Sequence, residues 1–368
     1  MKLLFVVTKD WYFVSHRLPL AVAARAAGFE VTVATRVGAH DETILAAGIR
    51  LIPFTLSRRG GNPLYEVAAL VRLYRRERPD IVHHVALKPV LYGALAARLA
   101  RVPAQVNAVA GLGWLFTSAK GMTRIIRPAV RRTLAWLLNA RGSLTIVQNP
   151  DDRDLLIRSH LPESRLRLIR GAGVDTAAFY PVPEPSGTVC IVLVARMLWD
   201  KGVGEFVEAA RLLTQAGVNA RFVLVGDPDP DNPASVPEST LRAWHGQNGV
   251  EWWGHRDDMP AVFHAAHFAC LPSYREGLPK SLLEAAACGL PIVTTDAPGC
   301  REIVRDGDNG FLVPVRDAQA LAIALRGLID NPVLRAEMGL RSREIVLAEF
   351  SREQVIAETL AVYQELTQ

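Results

Sequence analysis

The stretch of residues 268–296 constrains the fold of this chain more than any other. Two apolar runs within it, Phe268–Leu271 and Ile292–Thr295, are each long enough for a buried strand. Between these runs, Pro279 has the fixed φ of a first helical position, and Gly289 is a typical helix stop. The predicted order of strand, loop, helix and strand is the repeating unit of a parallel α/β sheet. Because such sheets bind ligands at the carboxyl ends of their strands, the loop before the helix is a candidate site.

Two carboxylates bracket the start of the predicted helix. Glu276 lies in the loop and Glu284 lies inside the helix. The backbone N–H groups of Leu278, Lys280 and Ser281 would lie between them, and the first N–H groups of a helix attract anions. A ligand with phosphates in its middle and hydroxyl groups at both ends, such as a nucleotide sugar, would match. The alternative is that Glu276 caps the helix and Glu284 is one more surface carboxylate.

Length and composition are those of a globular protein of two domains. The chain has 368 residues, of which 50% are hydrophobic and 21% are charged. Its four cysteines form no C-x-x-C pair, which indicates a reducing cytosol. No apolar run approaches the roughly eighteen residues of a membrane span. Lys9 and Asp10 interrupt the first apolar run, which argues against a signal peptide.

Charge is unevenly distributed along the chain. Residues 1–180 contain 26 Lys plus Arg and 12 Asp plus Glu, a formal charge of +14, whereas the remainder has a formal charge of −9. A basic half suggests a polyanionic partner, which could be nucleic acid, anionic lipid or a pyrophosphate. Residues 120–141 combine arginines with apolar side chains, as an interfacial helix does, although a core helix with a solvated basic face would look similar. We favour membrane association because the charge is concentrated in one half.

Two successive series of short apolar strands, separated by helical patterns, predict an α/β protein with two Rossmann-like doubly wound domains. The proline-rich segment 180–187 between the series is typical of a linker. The predicted strands of the first series are residues 2–8, 31–35, 49–54, 81–85, 104–109, 144–147 and 166–169, and those of the second are residues 189–195, 221–225, 250–253, 268–271, 292–295 and 311–313.

The frame from Glu276 to Glu284 resembles a known family signature. It reads Glu-Gly-Leu-Pro-Lys-Ser-Leu-Leu-Glu, followed by Ala-Ala-Ala-Cys-Gly-Leu-Pro, and is similar to the E-x7-E signature of the retaining GT-B glycosyltransferases of family four. The resemblance covers nearly the whole chain. It implies two Rossmann-like domains facing a cleft, with an acceptor domain at residues 1–180 and a nucleotide-sugar domain at residues 187–349. It also implies that residues 350–368 form a helix that returns to the first domain.

The resemblance also implies roles for the donor residues. In this family the first glutamate faces the donor sugar and the second holds the ribose hydroxyls, which gives these roles to Glu276 and Glu284. Further candidates for nucleotide contact are three neighbours in the same frame, Gly277, Leu278 and Lys280. By resemblance His255 and Arg256, which follow the predicted strand 250–253, line the base pocket.

Two cations follow the first strand of the second series. Arg196 and Lys201 could balance a diphosphate and stabilise it as a leaving group. They could equally be solvated loop charges, but they resemble the family's diphosphate clamp. The alternating Asp227, Asp229 and Asp231 suggest a magnesium or manganese loop, yet the prolines between them favour a surface loop. We therefore expect no metal and no cofactor apart from the donor itself.

The acceptor side is predicted from the ends of strands in the first domain. Residues 10–20 are similar to a segment of relatives that extend lipid-linked glycans, in which Arg-x-Pro follows aromatic residues. This similarity implies that His16 and Arg17 contact the acceptor, with Arg17 near a lipid diphosphate. His84 and Lys88 are further candidates, although the pair His83 and His84 also fits packing alone.

Gly111 and Gly113 follow another strand and could admit a ligand close to the backbone. Phe116 stands where a dinucleotide fingerprint needs a third glycine, which argues against NAD. Many family members carry a histidine here that contacts the donor sugar, and this chain does not. Gly111 and Gly113 are therefore acceptor candidates.

The resemblance implies a metal-independent hexosyltransferase acting in bacterial surface polysaccharide or glycoprotein glycan assembly. The N-terminal half is most similar to enzymes that add N-acetylgalactosamine or a related hexosamine to an undecaprenyl-diphosphate-linked sugar. We expect a UDP-sugar donor, a polyprenyl-diphosphate glycolipid acceptor, no nucleic acid, and a cytoplasmic protein peripheral to the inner membrane face. The alternatives are a GT-B-fold UDP-sugar epimerase, which would need no acceptor, and a non-catalytic basic binder that ignores nucleotides.

Overall fold

The computed structural model describes residues 1–57, 61–109 and 131–367. The chain forms two compact units, one comprising Met1–Ala172 with Glu353–Gln368 and the other comprising Gly173–Arg352. Each unit is built on one parallel sheet with helices between its strands. The prediction of two doubly wound α/β domains is therefore confirmed.

The first sheet has seven parallel strands in the order β3-β2-β1-β4-β5-β6-β7. All residues of β4, β5 and β6 are buried, including polar side chains such as His83, His84 and Asn107. The chain moves from β3 back to β4 beside β1, so the strand order reverses between β1 and β4. The strands are β1 Lys2–Val6, β2 Glu30–Thr35, β3 Arg50–Pro53, β4 Ile81–Val85, β5 Ala104–Val109, β6 Ser143–Val147 and β7 Leu166–Leu168.

Helices cover both faces of the first sheet. One core cluster joins the sheet to Leu18–Ala26 and Arg352–Glu365, and another joins it to Pro63–Glu77 and Leu87–Ala100. The last helix therefore packs in the first unit, as predicted. The described helices of this unit are Asp10–His16, Leu18–Ala26, Asp41–Ala46, Pro63–Glu77, Leu87–Ala100, residues 131–138, Pro150–Ile157 and Arg352–Glu365.

The chain after β1 differs from the prediction. The sequence predicts one helix over residues 15–27, with Gly28 as its stop, but Asp10–His16 is already helical and a second helix begins at Leu18. The Asp10 carboxylate accepts hydrogen bonds from the backbone N–H groups of Trp11, Gly38 and His40, at 2.6–3.1 Å. An acidic residue in the first turn stabilises a helix start, and here it also fixes the loop after β2.

The second sheet has six parallel strands in the order β10-β9-β8-β11-β12-β13, and its order reverses between β8 and β11. Its strands are β8 Cys190–Val194, β9 Arg221–Val225, β10 Val250–Gly254, β11 Phe268–Leu271, β12 Ile292–Thr295 and β13 Gly310–Val313. The accompanying helices are Val203–Gln215, Glu238–Trp244, Met259–His264, Lys280–Ala287, Ala318–Ile329 and Pro332–Glu349, with short 3-10 turns at Glu163–Arg165 in the first unit and Trp199–Lys201 in the second.

The proline-rich segment 180–187 lies within the second unit. Glu184 in this segment forms a two-pronged ion pair with the buried Arg335, at 2.6 and 2.9 Å. The unit boundaries fall instead at residues 172–173 and 352–353. The predicted domain bounds stay a prediction. Among the described helices, none has the length and apolar character needed to cross a membrane.

Candidate functional site

The strand order of the second unit places a ligand site at the ends of β8 and β11. Crevices form where the strand order of an open parallel sheet reverses. The loops after these two strands are joined, because the Tyr274 N–H donates to the Asp200 carbonyl at 2.9 Å and the Ser273 hydroxyl oxygen lies 3.1 Å from that carbonyl. Gly202 allows this close approach: its φ is +73°, and a Cβ there would lie 2.1 Å from the Pro272 carbonyl oxygen.

This junction brings Lys201 and Glu276 together. The Lys201 ammonium forms an ion pair with Glu276 Oε1, and the Ser273 hydroxyl donates to the same oxygen at 2.7 Å. Both charged side chains are mostly buried, with 19% and 12% of their side-chain surface exposed. A desolvated, hydrogen-bonded ion pair at the end of two parallel strands is a preorganised polar site.

The backbone of the loop after β12 also contacts the backbone of Glu276. The Glu276 N–H donates to the Pro298 carbonyl at 2.9 Å. Gly299 has φ +82°, and a Cβ there would lie 2.6 Å from the Glu276 carbonyl oxygen. Three loops therefore fix the position of Glu276. Gly277, a predicted nucleotide contact beside it, can offer a ligand only its backbone.

Glu284 lies one turn into helix Lys280–Ala287 and is almost fully buried, with 5% of its surface exposed. Lys280 Nζ donates to its Oε1 at 2.7 Å. Burial raises the pKa of Glu284 above its ordinary value, and the nearby charges of Lys280 and Arg352 offset only part of this effect. A buried carboxylate with unused acceptor capacity suits hydroxyl donors of a ligand. Leu278, also a predicted contact, is partly buried against the core.

Arg196 does not lie in the Lys201–Glu276 pair. Its guanidinium forms an ion pair with Asp229 at 2.6 Å, and its side chain is 41% exposed. The aspartate loop after β9 thus supplies a partner for Arg196. Among the described residues, no group of three or more His, Cys, Asp or Glu side chains is arranged to hold a metal ion. Transfer without a metal stays a prediction.

His255 and Arg256 are exposed on the loop after β10. His255 Nε2 lies 3.1 Å from Asp257 Oδ1, and the Arg256 guanidinium lies 5.8 Å from the centre of the Trp253 ring. Neither side chain contacts Glu276 or Glu284 in the part of the chain that the structure describes. Their role in the base pocket stays a prediction.

In the first unit, the corresponding reversal lies between β1 and β4, and Arg17 lies beside it. Arg17 is 3% exposed, and its guanidinium has no hydrogen bond or ion pair with a described residue. A buried and unpaired charge is costly, which indicates a place for an anion. His16, its predicted companion, stacks on Tyr12 with ring centres 4.2 Å apart.

His83 is the histidine near Arg17. Its Nδ1 lies 2.6 Å from the Tyr363 hydroxyl of the last helix, and its Nε2 is buried without a hydrogen-bond partner among the described residues. Burial, and secondly the Arg17 charge, hold the pKa of His83 well below its ordinary value, so the ring is neutral. A neutral imidazole with one free nitrogen can accept from or donate to a ligand.

His84 and Lys88 have partners within the unit. His84 is fully buried, and its two ring nitrogens lie 2.8 Å from Asn107 Oδ1 and 2.9 Å from the Tyr74 hydroxyl. This geometry favours a packing role. Lys88 forms an ion pair with the buried Glu66 at 2.6 Å. Their acceptor roles stay predictions. Gly111 and Gly113, and residues 120–130 of the basic stretch, lie outside the described residues.

Sequence reasoning missed several residues of these sites. Ser273 is the second residue after β11, and its position in the loop that contains Glu276 was a usable signal. Asp229 was visible in the aspartate alternation but was considered only as a metal ligand. His83 and Tyr363 could not be paired from the sequence, because they are 280 positions apart.

Comparison with known proteins identifies the family of this chain. Residues 2–147 match the family Glycosyl transferase 4-like, and residues 188–331 match the family Glycosyl transferases group 1. The chain therefore belongs to the GT4-like, group 1 glycosyltransferases. It is an enzyme of the hexosyltransferase class.

Individual relatives are similar over most of their length. The chain is 26% identical over 347 residues to the N,N'-diacetylbacillosaminyl-diphospho-undecaprenol alpha-1,3-N-acetylgalactosaminyltransferase of Campylobacter jejuni, with 90% of each chain covered. It is 27% identical over 282 residues to the Escherichia coli UDP-Gal:alpha-D-GlcNAc-diphosphoundecaprenol alpha-1,3-galactosyltransferase, covering 72% of this chain and 70% of that one. The crystal structure of Anabaena HepE in complex with UDP and glucose matches with a TM-score of 0.79 at 21% identity, over 98% of this chain and 99% of that chain. This likeness shows the GT-B fold.

Proposed function

We propose that this enzyme transfers an N-acetylhexosamine, with retention, from a UDP-sugar to a polyprenyl-diphosphate-linked glycan. The main support is the Lys201–Glu276–Ser273 cluster, which the strand reversal places where a ligand is expected. The Campylobacter jejuni and Escherichia coli relatives act, by their names, on undecaprenol-diphosphate-linked sugars, and the second uses UDP-galactose.

The second unit would hold the donor, in the domain predicted at residues 187–349. Glu284 would accept hydrogen bonds from the ribose hydroxyls, and the first N–H groups of helix Lys280–Ala287 would face the phosphates. Lys201 and Arg196 would neutralise the diphosphate, so each would exchange its present carboxylate, Glu276 or Asp229, for phosphate oxygens. Glu276, released from Lys201, would orient the donor sugar. Glu276 and Asp229 therefore hold Lys201 and Arg196 in place before the donor binds.

The first unit would hold the acceptor, in the domain predicted at residues 1–180 with residues 350–368. The buried Arg17 guanidinium would meet the acceptor's diphosphate, with His83 Nε2 as an additional contact. The basic first half of the chain, with its formal charge of +14, would hold the enzyme at the anionic inner face of the membrane.

The acceptor hydroxyl would attack the sugar on the same face from which the diphosphate departs. The acceptor hydroxyl oxygen forms the bond to the anomeric carbon while the bond from that carbon to the diphosphate oxygen breaks. The departing phosphate takes the hydroxyl proton, and UDP is the leaving group. We favour this route because a double displacement needs a nucleophilic carboxylate on the far face of the sugar. Lys201 and Arg196 would stabilise the charge that develops on the diphosphate.

Thermal unfolding with UDP, GDP, ADP and NAD, each with and without EDTA, tests the donor site. UDP at a hundredfold excess over Kd should add about 2.7 kcal/mol of stability, and so raise Tm by roughly five to ten degrees. The shift should survive EDTA. A shift with NAD alone, or with no nucleotide, would contradict the proposal.

The variant Glu276→Gln separates binding from transfer in the same experiment. It should keep the Tm shift with UDP, because the nucleotide contacts are elsewhere. Transfer from UDP-N-acetylhexosamine to an undecaprenyl-diphosphate glycan should fall by about a hundredfold or more. Full transfer activity in this variant would remove Glu276 from the mechanism.

A further inference from the structure

A second polar recess lies at the amino edge of the first sheet, opposite the strand ends that hold Arg17. It has a volume of about 470 Å³ and lies where helix Leu87–Ala100 and the helical residues 131–138 both end, above the start of β5. It is remote from the strand reversal in its own sheet, and the transfer reaction makes no use of it.

Three arginines line this recess: Arg98, Arg101 and Arg141. All three are exposed, and no carboxylate of a described residue lies within ion-pair distance of any of them. Arg50 and Arg76 of the same unit both pair with Glu77, whereas, among the described residues, the exposed Arg72 and Arg75 donate only to backbone carbonyls. The Arg98 guanidinium lies 4.2 Å from the centre of the Trp136 ring, which orients it toward the recess.

The positive charge of these three arginines exceeds the partial negative charge of the two helix ends beside them. Each of the two helices that end here presents about half a negative charge on its last carbonyl groups, roughly −1 in all. Three guanidinium groups therefore leave an excess of about two positive charges. This excess suits a phosphate anion, either a monoester or the singly charged diester of a lipid headgroup.

Gln105 provides an independent indication of a ligand. It is 5% exposed, lines the recess from the start of β5, and its Oε1 is buried without a hydrogen-bond partner among the described residues. An unsatisfied buried polar group costs free energy that a bound donor would recover. A ligand here should therefore offer a hydrogen-bond donor as well as an anion.

We propose that this recess binds a hydroxylated phosphate ester. The three arginines hold the phosphate, and a hydroxyl group of the ligand donates to Gln105 Oε1. Two sources share this chemistry: a glycerol phosphate lipid headgroup and a free glycerol phosphate. Trp136 and Leu99 are 53% and 52% exposed beside the recess, and apolar side chains at this position favour the lipid source.

Vesicle flotation with the full chain tests the lipid source. The vesicles contain phosphatidylcholine with either phosphatidylglycerol or phosphatidylmethanol, which has the same charge but no free hydroxyl. Wild-type protein should prefer phosphatidylglycerol by about tenfold, and Gln105→Met should bind both equally. Calorimetry with glycerol 3-phosphate, without lipid, tests the free source.

Charge-matched variants separate a built site from general attraction. The triple variant Arg98→Gln, Arg101→Gln, Arg141→Gln should lose about a hundredfold in affinity for the probe that binds. The control triple Arg25→Gln, Arg50→Gln, Arg76→Gln removes the same charge from the same unit and should lose only a few fold.

Circular dichroism and Tm establish that each variant is folded before binding is compared. Binding of glycerol 3-phosphate alone would assign the site to a free ester. The proposal is overturned if neither probe binds, if the wild type does not distinguish the two lipids and ignores glycerol 3-phosphate, or if both triple variants lose affinity equally.

Discussion

At the scale of single residues, Glu276 and Glu284 differ in burial and in hydrogen-bond partners. Glu276 lies between a cation and a hydroxyl, both donating to one of its oxygens. Glu284 is buried, with Lys280 as its close cation, and its pKa is raised. In the proposed reaction Glu276 exchanges Lys201 for the donor sugar. Glu284 is desolvated, and a hydrogen bond from a ligand hydroxyl would stabilise its charged form.

The burial of Glu284 predicts a conflict between stability and binding. A raised folded-state pKa means that its contribution to stability is complete at low pH and is lost as pH rises through that pKa. Glu284→Gln should therefore raise Tm at about pH 8, and the difference from wild type should shrink toward about pH 5. The same variant should bind UDP about ten- to a hundredfold more weakly, because a charged hydrogen bond is lost.

Glu208→Gln is the matched control for this prediction. Glu208 lies on helix Val203–Gln215, is 46% exposed and pairs with Arg211 on the surface. Its substitution should leave UDP affinity unchanged in isothermal titration and alter Tm little at either pH. Wild-type UDP affinity in Glu284→Gln would show that Glu284 does not hold the ribose.

At the scale of elements, the proposed donor site depends on the junction of two loops, where Gly202 lies against the Pro272 carbonyl. Gly202→Ala should lower the free energy of unfolding by about 2–4 kcal/mol, because a left-handed residue is strained and its Cβ would meet the Pro272 carbonyl. Transfer should also fall, since the loop that presents Lys201 would move away from Glu276. Urea unfolding and activity of the same samples measure both effects.

Gly217 offers a close control. Its φ is +78°, nearly that of Gly202, but nothing lies within 4 Å of the position of its Cβ. Gly217→Ala should therefore cost only the backbone strain, about 1–2 kcal/mol, and leave transfer intact. Equal losses in the two variants would mean that the contact with Pro272 is unimportant.

The strands and the E-x7-E helix were predictable from the sequence, because central strands of a parallel sheet are buried on both faces and read as apolar runs. The helix beginning at Asp10 was missed, since the Asp10 carboxylate at its start is held by the backbone N–H groups of Gly38 and His40 after the next strand. The ion pairs of Lys201 and Arg196 could likewise not be predicted from the sequence. They depend on which loops the strand order brings together, and on one glycine that lets two backbones touch.

At the scale of the whole molecule, the two units should respond to different ligands. Hydrogen exchange measured by mass spectrometry should show UDP slowing amides most in residues 195–202 and 273–284, where the donor contacts are proposed. Residues 1–109 should change less. Protection that is strongest in the first unit would place the nucleotide on Arg17 and His83 instead.

The return of the last helix to the first unit has a consequence for synthesis on the ribosome. The second unit is one continuous stretch, Gly173–Arg352, and can fold as soon as it emerges. The first unit needs Val355, Val362 and Tyr363 to cover its sheet, and these follow the whole second unit. At ordinary translation speeds, that apolar surface waits roughly ten to forty seconds for its cover. The part of the chain that is made first is therefore the last to be completed, and it is the part that a nascent-chain chaperone would have to shield.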